Sequence, residues 1–371
     1  MTPKGEKPMS PTQAMTENPI KRALGQGQSI WYDGLVPPKA FEAMIREDGI
    51  RGATTNPTIF EKALLAHEYD AEIRALARTQ DAPAIYRTLT VRAVREVADV
   101  FLPVYEASRG EDGFVSIEVS PLLARDTAAT LAEARELWTA VDRPNAMIKV
   151  PATREGLPAI RALIAGGINV NVTLIFSIAR YREVMEAYLL GLEDRRASGG
   201  PLERTASVAS FFVSRVDTAV DKLLEGRPES GRLTGTIGIA NSKAAYAAFG
   251  EVFGSARFRG LEAAGAKVQR PLWASTGTKN PAYSDVLYVE ALMGPRTVDT
   301  VPPATLDAFR DHGVPGSRLG EGAAQAFRAL EELTAAGIDL TSVTADLEAA
   351  GVKSFSDSYE KILREIGAKR S

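Results

Sequence analysis

No cysteine occurs anywhere in the chain. Disulfides, thiol nucleophiles and thiolate metal sites are excluded together, and the redox compartment is left open. Histidine is almost as scarce, with His67 and His312 the two present. A site with several imidazole ligands is therefore excluded, and a metal enzyme would have to rely on carboxylates. There is no apolar run long enough to cross a membrane, and the formal net charge of −3 supplies no broad basic field for nucleic acid. Residues 1–17 hold Pro, Lys, Ser and Thr but lack the apolar segment of a signal peptide, so a flexible tail is expected there. The protein is expected to be soluble, with no membrane or nucleic-acid partner.

What is present reads as a large globular core, 45% hydrophobic over 371 residues. That length suggests about two domains, unless the fold is a barrel with additions. From Ile20 onward short apolar runs alternate with amphipathic stretches, the pattern of repeated βα units and a parallel sheet. Strands are expected at 29–35, 52–55, 114–119, 146–150, 169–175, 205–211, 236–239 and 268–274. Helices are expected between them at 38–47, 69–108, 124–140, 155–165, 178–197, 214–224 and 242–253. Eight such units predict an α/β TIM (β/α)8 barrel. An open doubly wound sheet would want a Gly-rich loop after the first strand, and Trp31-Tyr32-Asp33-Gly34 is not one. Beyond Asn280 the strand rhythm fades, and helices are expected at 306–310, 323–335 and 340–365. The expected organisation is thus a barrel over 18–290 and a C-terminal helical extension over 291–371 packed on it, since no polar linker intervenes.

Lys149 stands in a run that otherwise reads as a buried strand, Ala146 to Pro151. An edge-strand lysine whose stem packs while its head reaches water is the plain alternative. At the mouth of a barrel, desolvation instead favours a free amine, the nucleophile that forms a Schiff base with a carbonyl substrate. Parity supports that second reading. Asn169, Asn171 and Thr173 share one face of their strand, with Val170, Val172 and Leu174 on the other. Ser116, Glu118 and Ser120 oppose Val115, Ile117 and Val119, and the first strand offers Asp33 just before Gly34. Polar inward faces on four strands are costly to bury without a site.

A lysine amine with two carboxylates and neutral donors suits carbonyl chemistry through an imine. Lys149 attacks, one carboxylate shuttles protons, and the other removes a hydroxyl proton as a carbon–carbon bond breaks. The protonated imine is the electron sink, so no cofactor or metal is expected. For an anion, the helix start in Ser210-Phe211-Phe212-Val213-Ser214-Arg215 is suited to phosphate, with Arg215 adding a forked contact. A salt bridge to a neighbouring helix is the alternative for Arg215. Ser275 and Lys279, after the expected eighth strand, form a second phosphate candidate. Asn56 before Pro57 is read either as part of the site or as a turn start.

These residues carry a resemblance to the transaldolases, of the longer bacterial type. The segments that carry it are Trp31-Tyr32-Asp33, Thr54-Thr55-Asn56-Pro57, Ser116-Ile117-Glu118, Ile148-Lys149-Val150-Pro151, Asn171-Val172-Thr173 and Ser210-Phe211-Phe212-Val213-Ser214-Arg215. The resemblance implies a Schiff base between Lys149 and a ketose phosphate such as fructose 6-phosphate or sedoheptulose 7-phosphate. Asp33 then triggers cleavage, Glu118 and Thr173 with a water handle imine protons, and Asn56 and Asn171 hold the dihydroxyacetone unit. Ser210, Arg215 and Ser275 face the phosphate. It further implies an aldose phosphate acceptor and a role in the pentose phosphate pathway; a cytoplasmic location is expected from the missing targeting signals, and a monomer or homodimer is expected. Where some shorter members carry Arg, this chain has Gly277, which leaves Lys279 as the substitute without the guanidinium fork. Fructose-6-phosphate aldolase-like enzymes typically have Gln and Tyr at the places of Glu118 and Phe212. A barrel kept for binding or scaffolding would need a broken catalytic set, and Asp33, Glu118 and Lys149 are all present.

Overall fold

In a computed structural model, residues 18–65 and 69–369 are described. The expected tail over 1–17 and His67 lie outside them. Eight parallel strands close in sequence order: β1 (Gln28–Asp33), β2 (Ala53–Thr54), β3 (Val115–Glu118), β4 (Ala146–Pro151), β5 (Val170–Ile175), β6 (Ser207–Phe212), β7 (Arg270–Ala274) and β8 (Thr297–Val301). The TIM barrel expected from the alternating pattern is therefore the fold. Its outer faces read Val, Ile and Ala because helices cover them, as Ile148 and Val150 on β4 illustrate.

Two strand assignments are corrected. Of residues 236–239, Thr236 is the N-cap and the other three begin the helix Ile237–Phe253. A four-residue apolar run carries too little periodicity to separate a strand from a buried helix end. Here Gly238 packs so closely on the Val213 carbonyl that a Cβ would lie 2.8 Å from it. The true eighth strand is Thr297–Val301, which pairs with both β7 and β1 and lies within the stretch expected to be a helical extension. Its central Asp299 broke the apolar pattern. The loop carrying Ser275 and Lys279 consequently follows β7. The expected helix over 69–108 is two, Asp70–Leu76 and Ala82–Ala107, with Asp81 capping the second through a 2.9 Å bond from the Ala84 amide.

Inside the barrel, Trp31, Phe114, Met147, Leu272 and Val298 form an apolar layer. Below it Asp112 accepts from Ser29 Oγ at 2.8 Å and from Arg270 Nη2 at 2.9 Å, closing the N-terminal end with a partly buried ion pair. Strand alternation fails once. Leu174 takes φ +60°, the β5–β6 register shifts between Val172 and Ile175, and Leu174 turns into the interior cluster rather than out with Val172. That side chain meets the C-terminal helix Leu340–Ala368, which runs over the strand C-termini against Pro57–Leu64, Ser214–Leu224 and β5. Gly351 allows the approach, since a Cβ there would lie 2.9 Å from Leu174 Cδ2. The helix Ala323–Ala335 packs instead on Ile237–Phe253.

Candidate active site

Glu118, Lys149 and Asn171 stand level on adjacent strands, because β3 pairs Glu118 with Lys149 and β4 pairs Lys149 with Asn171. Identical parity then aims all three side chains inward. Lys149 Nζ lies 3.3 Å from Glu118 Oε2 and donates to the Thr55 carbonyl at 3.1 Å. Both residues are buried. Burial pushes the Glu118 carboxyl up to about 7, with the Lys149 charge opposing that rise. A carboxyl poised there can both give and take a proton near neutrality. Glu118 Oε1 and Thr173 Oγ1 are buried without a hydrogen-bond partner in the protein, while Glu118 Oε2 faces Lys149, so the first two can hold a water beside the amine.

Asp33, at the end of β1, accepts from Thr54 Oγ1 at 2.8 Å. Burial raises its carboxyl above the usual range, and the charges of Lys149, Lys279 and Arg215 pull the other way. Asn171 donates to Ser116 Oγ at 3.0 Å and accepts from Ser210 Oγ at 2.7 Å. That chain fixes the amide orientation, and it directs the Ser210 hydroxyl proton to Asn171. Asn56 caps the helix Pro57–Leu64 by accepting from the Ile59 amide at 3.0 Å, which leaves its NH2 facing the site. It is therefore both a turn start and a site residue.

A cavity of about 310 Å³ opens over these groups, lined by Asp33, Asn56, Lys149, Thr173, Ser210, Arg215, Ser275 and Lys279. Of the ten expected site residues, Glu118 and Asn171 alone stand behind the lining, where they touch it through Lys149 and Ser210. The amides of Val213 and Ser214 donate to the carbonyls of Ala274 and Ser275, so the positive charge offered at that helix start is the Arg215 guanidinium. Its Cζ lies 5.3 Å from the Phe212 ring centre and 6.0 Å from that of Phe355. Ser275, at φ +59°, bonds Ser214 Oγ at 2.8 Å. At Gly277 a Cβ would meet Thr305 Oγ1 at 3.1 Å, so the wall is tight where shorter transaldolases carry an arginine.

Sequence reasoning missed two lining residues with an evident chemical role. Lys62, from the helix Pro57–Leu64, brings another exposed cation to the mouth. Phe355, from the C-terminal helix, places its ring centre 5.7 Å from Lys149 Nζ. Neither had a local signal, because both reach the site from helices rather than strand ends. Among the described residues no helix is long and apolar enough to cross a membrane.

A family model described as transaldolase/fructose-6-phosphate aldolase matches residues 30–366. Curated relatives agree along nearly the whole chain. A transaldolase of Saccharopolyspora erythraea is 52% identical over 360 residues, covering 95% of this chain and 98% of the relative. One from Mycobacterium tuberculosis is 51% identical over 363 residues, with 95% and 97% covered, and one from Mycolicibacterium smegmatis is 50% identical over 359, with 94% and 97% covered.

Proposed function

The chain belongs to the transaldolase/fructose-6-phosphate aldolase family, and from that membership we infer that it is a transaldolase moving a dihydroxyacetone unit between sugar phosphates through an imine on Lys149. The observation that carries the reading is the 3.3 Å contact between Lys149 Nζ and Glu118, set in a cavity that also holds Asp33. Lys149 adds to the ketose carbonyl, and Glu118 protonates the carbinolamine oxygen so that water leaves. Asp33 takes the proton of the substrate hydroxyl, the adjacent carbon–carbon bond breaks, and its electron pair enters the protonated imine. An aldose phosphate departs, and a second one is attacked by the same three-carbon enamine. Asn56 and Asn171 hold that unit. Arg215, Ser275 and Lys279 take the phosphate, with Lys62 adding charge at the mouth. Ser210 acts by orienting Asn171.

Donors of the sedoheptulose 7-phosphate or fructose 6-phosphate type, and acceptors of the glyceraldehyde 3-phosphate or erythrose 4-phosphate type, fit this arrangement. They set the reaction in the pentose phosphate pathway, in the cytoplasm. Phe212 has no hydroxyl to hold a water over the imine, which favours transfer over the lyase reading. The test is intact mass after fructose 6-phosphate and borohydride. Wild type is expected to gain one dihydroxyacetone unit and Lys149→Ala none, with erythrose 4-phosphate added before reduction discharging the label. Label retained by Lys149→Ala, or absent from wild type, overturns the reading.

A further inference from the structure

The proposed reaction makes two opposite demands on water. One molecule is released when the imine forms and one is consumed when it is hydrolysed, yet the enamine must outlive the exchange of one aldose for another. Solvent reaching it in that interval ends the cycle as a hydrolysis. The floor of the site is suited to water, since Glu118 Oε1 and Thr173 Oγ1 are buried oxygens without a hydrogen-bond partner beside Lys149.

The opposite side is apolar, and it is supplied by the C-terminal helix. Phe355 is only 3% exposed, lines the substrate cavity, and covers both Lys149 and Arg215 at 5.7 and 6.0 Å from its ring centre. The helix is clamped on either side of it. Gly351 seats on Leu174, one turn before the ring, at a spacing that a Cβ would close to 2.9 Å. Beyond the ring, Ser358 Oγ lies 3.1 Å from Thr58 Oγ1 and Lys361 Nζ lies 2.6 Å from Glu61. The backbone that carries the ring is thus fixed both before and after it. On the other side of Arg215 the cavity is lined by Phe212, whose ring packs on that of Phe176 at 5.0 Å with the planes tilted by 39°.

We propose that Phe355 is a specificity-determining residue that keeps solvent off the three-carbon unit on Lys149, so that the unit passes to a second aldose instead of leaving as dihydroxyacetone. The proposal rests on the transaldolase reading of the site. The reaction it suppresses is balanced as follows. A proton adds to the enamine carbon and regenerates the protonated imine. Water then forms a carbon–oxygen bond at the imine carbon and gives its proton to Glu118. Glu118 returns that proton to the nitrogen and takes the hydroxyl proton in its place as the carbon–nitrogen bond breaks, so that Lys149 keeps the electron pair as a free amine and dihydroxyacetone leaves with its carbonyl restored.

The experiment measures, with fructose 6-phosphate as donor, free dihydroxyacetone formed per unit transferred to erythrose 4-phosphate. Wild type, Phe355→Ala and Phe355→Leu are compared, each checked for borohydride labelling. Opening the wall in Phe355→Ala is expected to raise that ratio about tenfold or more, and Phe355→Leu by less, with labelling kept in both. The ratio is independent of overall rate, so a loss of packing alone does not move it. An unchanged ratio in labelled variants overturns the proposal and makes Phe355 a packing residue. If Phe355→Ala does not fold, Phe355→Leu decides by the same ratio. Wild type that takes no label fails at the imine itself, which is a failure of the functional reading and is told apart by that control.

Discussion

Asp299 and Glu118 are both buried carboxyls raised by desolvation, and their partners separate their roles. Asp299, on the outer face of β8, accepts from Thr276 Oγ1 at 2.9 Å, and its other oxygen is buried without a partner. Burial lifts it from 3.8 to about 8. A folded-state value above the unfolded one means that its contribution to stability is present below about 3.8 and is lost as pH rises through about 8. Asp299→Asn keeps the acceptor but never ionises. Its Tm, followed by thermal melts, is expected to exceed that of wild type by a margin that grows between about pH 4 and about pH 8. A margin that shrinks with pH would refute the assignment. Glu118 instead faces an ammonium, so Glu118→Gln is expected to lose most imine formation and to remove any inflection near 7 from the pH profile of kcat/KM. For phosphate, Lys279→Met is expected to raise the KM for fructose 6-phosphate about tenfold while kcat is largely kept, as removal of a ground-state contact does. Steady-state kinetics decides it.

Among the elements, β5 and the C-terminal helix belong together. The bulge that turns Leu174 inward breaks the alternation legible in Asn169-Val170-Asn171-Val172-Thr173, and its consequence is a seat for Gly351. A larger residue at that position cannot be accommodated without moving a buried leucine. Gly351→Val is expected to lose about 1–3 kcal/mol by overpacking and to loosen the helix over the mouth. Denaturant melts and faster exchange of the amides of 345–365 would report it, and exchange unchanged from wild type would count against the seat. The helix itself was expected from its periodicity, and its limits, Leu340–Ala368, match closely. What periodicity could not reveal is where its apolar face docks, because that depends on Leu174, Arg215 and Lys149, all distant in sequence.

For the whole molecule, the barrel divides its buried charge between two ends. At the strand C-termini Lys149, Glu118 and Asp33 make a site, while at the N-termini Asp112, Arg270 and Ser29 make a plug. Asp112→Ala removes the carboxylate that Ser29, Trp31 and the partly buried Arg270 share, and is expected to destabilise the protein by about 1–3 kcal/mol. Borohydride labelling of the folded fraction should persist, and its loss would show that the two ends are coupled.

The sequence by itself determined the barrel and the strand positions of the proposed catalytic set, because strand parity and helix amphipathicity are local patterns that a chain writes residue by residue. Lys149, Glu118 and Asp33 were legible as polar residues at apolar strand ends. The tertiary structure decided the identity of the eighth strand, since Thr297–Val301 becomes a strand through pairing with both β7 and β1 rather than through its own periodicity. It also decided that Ser210 serves Asn171, that no side chain fits easily at Gly277, and that Phe355 and Lys62 reach the cavity. Each of those depends on the distance between residues far apart in the chain, which is set only when the barrel closes and the last helix is laid across it.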